Sequence, residues 1–163
     1  MLREAFISLQ DRVLDALKTV YGDRLVSVAV YGSVARETMR FDSDLDLLIV
    51  ARDLPRGPMN RRREFAAVED LVEPEFRRLA QQGINTELSP IFKTPDEAEA
   101  GSPIFFDMVE DAKILFDREA FLERRLARLR ARMASLGSKR VWVGNTWYWD
   151  LKPDYRPGEV FDL

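Results

Sequence analysis

Over the first twenty positions the apolar residues recur at helical spacing. Phe6, Leu9, Val13, Leu17 and Val20 fall on one stripe, with charged residues between them. This predicts an amphipathic helix over 2–21, ended by Gly22-Asp23. The period then changes. Leu25 to Tyr31 (LVSVAVY) is a β-branched, mostly apolar run, as in a buried strand. Gly32-Ser33 follows at once, Val34 to Met39 has the length of a short helix, and Asp44 to Val50 (DLDLLIV) is a second buried strand. Two prolines and a glycine between Arg52 and Pro58 mark a loop. Residues 59–82 favour helix, with Pro74 expected to kink it or split it near Val72.

Ile84 to Phe92 reads as a third strand, and Pro90 places it at a sheet edge. Thr94-Pro95-Asp96-Glu97 has the form of a capping box, with Thr94 at the N-cap and Pro95 at the first helical position. Pro103 to Val109 predicts a further short helix, Lys113 to Phe116 a short strand, and Arg118 to Leu136 a long helix with Leu122, Leu126, Leu129, Met133 and Leu136 on one seam. After that the character changes. RVWV and TWYW flank Gly144-Asn145, a two-residue hairpin signal, and all three tryptophans lie here. The expected organisation is one domain over residues 1–136 and a tryptophan-rich extension over 137–163.

Composition narrows the chemistry. The 163 residues are 46% hydrophobic, enough for a folded core. There is no histidine and no cysteine, which removes imidazole acid–base work, thiol nucleophiles, HExxH zinc sites and disulfides. Catalysis by this chain would use carboxylates, Lys or Arg, hydroxyls, backbone dipoles or a hard metal bound by oxygen. A net charge of −3 does not mark a dedicated nucleic-acid binder. No apolar run approaches the roughly 18–20 residues of a membrane span, and the first helix reads as amphipathic rather than as a secretory signal. A cytoplasmic location is expected.

The candidate chemistry is concentrated in residues 28–50, VAVYGSVARETMRFDSDLDLLIV. A buried strand delivers Gly32-Ser33 to a helix start. Gly32 allows close approach of the backbone to an anion, and Ser33 adds a hydroxyl. Asp44 and Asp46 stand one residue apart at the mouth of the second strand, so both project to one face about 7 Å apart. Two such carboxylates repel unless a cation lies between them, and hard oxygens suit Mg²⁺, which also takes ligands from water and substrate phosphates. Competing patterns fail. As an EF-hand loop starting at Asp42, the chain has Leu47 where glycine is required and Asp53 where glutamate is required. Aspartyl-nucleophile phosphatases and many glycosyltransferases place DxD after a hydrophobic strand, not before one. No GxxxxGK[ST] loop is present.

Gly32-Ser33-Val34-Ala35-Arg36 followed by Ser43-Asp44-Leu45-Asp46-Leu47-Leu48, with a strand on either side, resembles the minimal nucleotidyltransferases of the DNA polymerase beta superfamily. The resemblance covers roughly residues 25–117. It implies an α+β fold, a mixed β-sheet flanked by helices, here with a C-terminal helix and hairpin appended. It also implies two Mg²⁺ ions held by carboxylates, with Asp44 and Asp46 as metal ligands and Gly32 and Ser33 on the nucleotide phosphates. The family's third carboxylate lies on the next strand, usually as Asp. The candidate here is Glu87, one methylene longer, as catalytic group and third metal ligand.

Arg36 either contacts a phosphate or anchors the short helix through Asp42 or Asp44. Arg40 is a lesser candidate. Arg61, Arg62 and Arg63 read as a solvated face, and Arg124, Arg128 and Arg132 as a basic stripe on the long helix. Trp142, Trp147, Tyr148 and Trp149 either stack a base or form a small satellite core. The expected reaction is transfer of a nucleoside monophosphate from an NTP, with ATP first, to a hydroxyl of a protein, an RNA end or a small molecule. Such domains also occur as antitoxins, so the resemblance implies, as a second reading, a partner-binding role opposite a HEPN-type toxin, and, as a third, a degenerate nucleotide-binding module should Glu87 lie away from the site.

Overall fold

Every residue of β1 (Leu25–Tyr31) is buried, as a strand flanked on both edges and covered on both faces must be. In the computed structural model, which describes residues 1–163, β1 pairs antiparallel with β2 (Leu45–Ala51) on one side and with β4 (Lys113–Asp117) on the other. β3 (Leu88–Lys93) pairs with β2 in parallel, which completes a mixed sheet in the order β3-β2-β1-β4. β3 is an edge strand, so the missing N–H of Pro90 costs no ladder bond between central strands.

Side-chain alternation along β2 splits the interior in two. Leu45, Leu47, Ile49 and Ala51 face a core of 20 buried residues shared with α1 (Leu2–Tyr21) and α3 (Pro58–Gln81). Leu48 and Val50 face a second core of 13, built with α5 (Ile104–Asp111) and α6 (Phe121–Leu136). The same parity sends Asp46 toward the second face, opposite Tyr31.

The capping box forms as expected at α4 (Pro95–Ala100), with Thr94 Oγ1 accepting from the Glu97 amide and the Glu97 carboxylate accepting from the Thr94 amide. Beyond shifts of one or two residues, among them β2 starting at Leu45 rather than Asp44, four elements differ from the sequence expectation. The short helix α2 is Gly32–Ala35, not 34–39. It is closed by Thr38 N–H donating to Ser33 O at 2.9 Å, while Glu37 turns to φ 58°. Pro74 neither splits nor ends α3, which runs unbroken across it. Phe65, Val68, Val72 and Leu79 keep one buried face on both sides of the proline, and Pro74 itself is exposed, where a freed carbonyl can be hydrated. β3 starts at Leu88 rather than Ile84, because the amides of Ile84 and Asn85 donate instead to Leu79 O and Phe41 O. α6 begins at Phe121, since the Asp117 carboxylate accepts from the amides of Leu122 and Glu123 and sets the first turn there.

The hairpin of β5 (Lys139–Val143) and β6 (Thr146–Asp150) turns through Gly144-Asn145 as the dipeptide predicts. It is a separate two-stranded sheet, but Trp149 and Leu151 pack against the second core.

Candidate active site

β1 ends at Tyr31 and the chain bends at Gly32 with φ 72°. A Cβ added there would stand 2.2 Å from Oδ2 of Asp46. The bend and the second aspartate are therefore in direct apposition, and only a residue without a side chain fits between them. Asp46 is half-buried, with Tyr31 across the antiparallel ladder and Ser89 across the parallel one. Burial, then the charge of Asp44, push the Asp46 carboxyl above the usual carboxylate range, and the Ser89 hydroxyl and Arg36 guanidinium pull the other way. Tyr31 is pushed up to about 12, by burial first and then by the charges of Asp46 and Asp107. It stays a neutral phenol at physiological pH.

Asp44 sits outside the strand and is exposed. The loop before it is braced by Ser43, whose hydroxyl accepts from the Arg40 amide at 2.7 Å. Glu87 is also exposed and lies just before β3, where its carbonyl accepts from the Leu45 amide at 2.9 Å. Asp44 and Glu87 line one cleft of about 380 Å³ together with Phe76, Ala80 and Thr86. Asp46 is not among its lining residues. No three Asp or Glu side chains converge anywhere in the chain into a group able to hold a metal ion, so Glu87 is not gathered with both aspartates. The pair Asp44 and Asp46 does suit a hard cation. Its donors are oxygen only, and the charge of Asp44 adds to burial in raising the Asp46 carboxyl, so the two carboxylates lie within electrostatic reach of one another.

Arg36 departs from its expected anchor. It forms no ion pair with Asp42, Asp44 or any other carboxylate. Its guanidinium carbon instead lies 4.6 Å from the ring centroid of Trp147 in the hairpin. The Arg61–Arg63 run is not a solvated face throughout. Arg61, with its side chain 16% exposed, bridges Glu97 at 2.8 Å and donates to Pro55 O, tying α3 to α4. Arg62 pairs with Glu69. On α6, Arg128 pairs with Glu99 and Arg132 with Asp162, so the basic stripe is largely neutralised at home. Two residues at the site are not singled out by the sequence: Tyr31 and Ser89. Counting alternate positions in β3 from a fixed register would have found Ser89, but the register comes from the fold.

A glycine bend over Asp46 in β2, with Asp44 just before the strand, on a mixed sheet between helices, is the arrangement that the nucleotidyltransferase resemblance implies. The chain belongs to the nucleotidyltransferase domain family, whose sequence model matches residues 11–116. It is 33% identical over 125 residues, 76% of this chain and 80% of the relative, to the Methanocaldococcus jannaschii protein named "Putative protein adenylyltransferase MJ1305". Among solved structures it resembles the spectinomycin adenyltransferase AAD(9) of Enterococcus faecialis, determined with ATP and spectinomycin, at a TM-score of 0.54 and 13% identity. That match covers 80% of this chain and 66% of the other, and is a likeness of fold. A toxin–antitoxin structure with AMP-PNP aligns at a TM-score of 0.48 and 13% identity, over 78% of this chain and 91% of the other. No helix is long and apolar enough to cross a membrane.

Proposed function

We propose that this protein transfers AMP from ATP to a hydroxyl group in a Mg²⁺-dependent reaction, with residues 1–136 as the catalytic domain and 137–163 as its extension. The observation that carries the reading is the apposition of Gly32 and Asp46, which puts the carboxylate under the bend where a triphosphate would lie. Gly32 and Ser33 hold the phosphates through backbone and hydroxyl, and Arg36 adds a cation free of carboxylate partners. Asp44 and Asp46 would hold Mg²⁺, with water and phosphate oxygens completing its shell. Bound there, Mg²⁺ supplies charge neutralisation of the triphosphate and acidifies the acceptor hydroxyl.

The acceptor oxygen attacks the α-phosphorus, the bond to the β-phosphate breaks, and pyrophosphate leaves with its electron pair. With Asp44 and Asp46 given over to the cation, the acceptor's proton passes to Glu87, the further carboxylate that lines the cleft beside Asp44. As a third ligand Glu87 would have to approach Asp46, which that cleft does not include. The name carried by the 33%-identical relative makes a protein hydroxyl the first acceptor to test.

The test is binding of ATP with and without Mg²⁺ to wild type and to Asp44→Asn/Asp46→Asn, followed by transfer of labelled AMP onto protein. Metal-dependent binding that the double substitution abolishes is the expected result. Unchanged binding in the double variant removes the catalytic assignment.

A further inference from the structure

The hairpin is held against the catalytic domain by charge and stacking, and its inner face reaches the site. The pairing Trp142↔Trp147 and Arg140↔Trp149 puts these four residues on one face of the two-stranded sheet. From that face Arg140 bonds Asp111, at the end of α5, at 2.8 Å, with both side chains under 20% exposed. The Arg140 guanidinium carbon lies 4.8 Å from the Trp147 ring centroid, and that of Arg36 lies 4.6 Å from the same ring. Trp142 packs on Trp147 at 5.1 Å between centroids. The indole of Trp147 thus takes two guanidinium contacts, one from the hairpin's own anchor and one from the end of α2.

What makes this informative is what Arg36 lacks. An arginine beside a carboxylate pair ordinarily satisfies its planar fork on a carboxylate. Here the fork is occupied on its face by an aromatic ring, which attracts the cation without consuming any N–H donor. The donors stay available beside the Gly32-Ser33 bend, and the Arg36 charge is felt at Asp46.

We propose that Trp147 is a positioning residue of the nucleotide site: by stacking on Arg36 it holds that guanidinium away from the aspartates and presents its N–H groups to the nucleotide's phosphates, so the C-terminal hairpin is a working wall of the active site. This rests on the nucleotidyl-transfer reading above.

The experiment is a mutant cycle in the full chain, read as the Kd for ATP in Mg²⁺. Trp147→Ala is expected to weaken binding roughly three- to tenfold, the size of one cation–π contact. Trp147→Phe, which keeps a ring face, restores it to within about twofold of wild type. In an Arg36→Ala background, Trp147→Ala adds nothing, because the ring acts only through the arginine. A second readout uses the placement of every tryptophan in the hairpin. In Trp142→Phe/Trp149→Phe, Trp147 alone emits, and inorganic tripolyphosphate should change its fluorescence only while Arg36 is present. Wild-type affinity in Trp147→Ala, or additive losses in the cycle, overturns the inference while leaving the transferase reading intact. A wild-type protein that binds neither ATP nor tripolyphosphate overturns both.

Discussion

The mouth of β1 and β2 and the C-terminal hairpin each bring a charged group against a neighbour, but by different physics. At the mouth, Asp46 lies under Gly32 because two adjacent strands in fixed register leave it nowhere else to go. At the hairpin, Arg36 lies against Trp147 because two side chains stack, with no shared ladder between their elements. Backbone-set geometry tolerates no change of shape and fails as a unit. Side-chain-set geometry can be loosened by degrees and can be lost while the rest of the fold stands. The inner half of the site is therefore rigid, and the outer half is adjustable.

The strongest test of that contrast is a pair of glycine substitutions. Gly32→Ala forces a left-handed conformation on alanine, worth about 1–2 kcal/mol, and drives a methyl group into the Asp46 carboxylate, only 2.2 Å away. Unfolding free energy should fall by about 1–3 kcal/mol, and ATP affinity in Mg²⁺ roughly tenfold or more, by denaturant titration and calorimetry. Gly144, in the hairpin loop, has a similar φ of 64° but nothing within 4 Å of an added Cβ. Gly144→Ala should show the strain alone, with ATP affinity within about twofold of wild type. Equal binding losses in the two variants would erase the distinction.

Alkaline pH probes the rigid side. Tyr21 belongs to the larger core, its hydroxyl is buried without a hydrogen-bond partner, and burial first, then the charge of Glu64, push it up to about 12. In the unfolded chain it titrates near 10. The group is a neutral acid whose folded value is raised, so its contribution is fully present below pH 10. It is lost between 10 and 12 as the unfolded state alone gives up the proton. Stability of the domain, followed by far-ultraviolet circular dichroism in urea, should decline over that interval by about 1–2 kcal/mol for each of Tyr21 and Tyr31. Tyr21→Phe should remove about half of the decline, because Tyr31 is raised to about 12 as well. A variant that declines as steeply as wild type would assign the effect elsewhere.

The same contrast decides what could be read from the letters. Leu25–Tyr31 and the strand after Asp44 were legible because a buried strand needs an unbroken apolar run. The Thr94–Glu97 cap was legible because its partners are three residues apart. Gly32 and Asp46 were legible as a motif, although that they touch is a consequence of register. Ser89 was not, since its place beside Asp46 depends on which strand pairs with β2 and in which direction. Pro74 misled, because local propensity says break while four buried side chains along α3 outweigh it. Arg36 misled for the opposite reason. Nearby carboxylates looked like its partners, whereas its neighbour is supplied by a tryptophan far along the chain.

The smallest effect expected on global stability, and the most diagnostic of an adjustable outer wall, comes from Arg140→Ala. The substitution removes the Asp111 ion pair and the cation contacts to Trp142, Trp147 and Trp149 in one step. Were the hairpin integral to the domain, losing a largely buried pair would lower the stability of the whole molecule by about 3 kcal/mol or more. Because the hairpin shares no ladder with the main sheet, the loss should be local. The circular-dichroism unfolding midpoint should move by no more than about 2–3 °C. Tryptophan emission, which reports only the hairpin, should shift to the red as Trp147 and Trp149 gain water. ATP affinity should fall in step with that shift, because undocking takes Trp147 away from Arg36. A large drop in the midpoint with unshifted emission would mean that the hairpin is part of the rigid half.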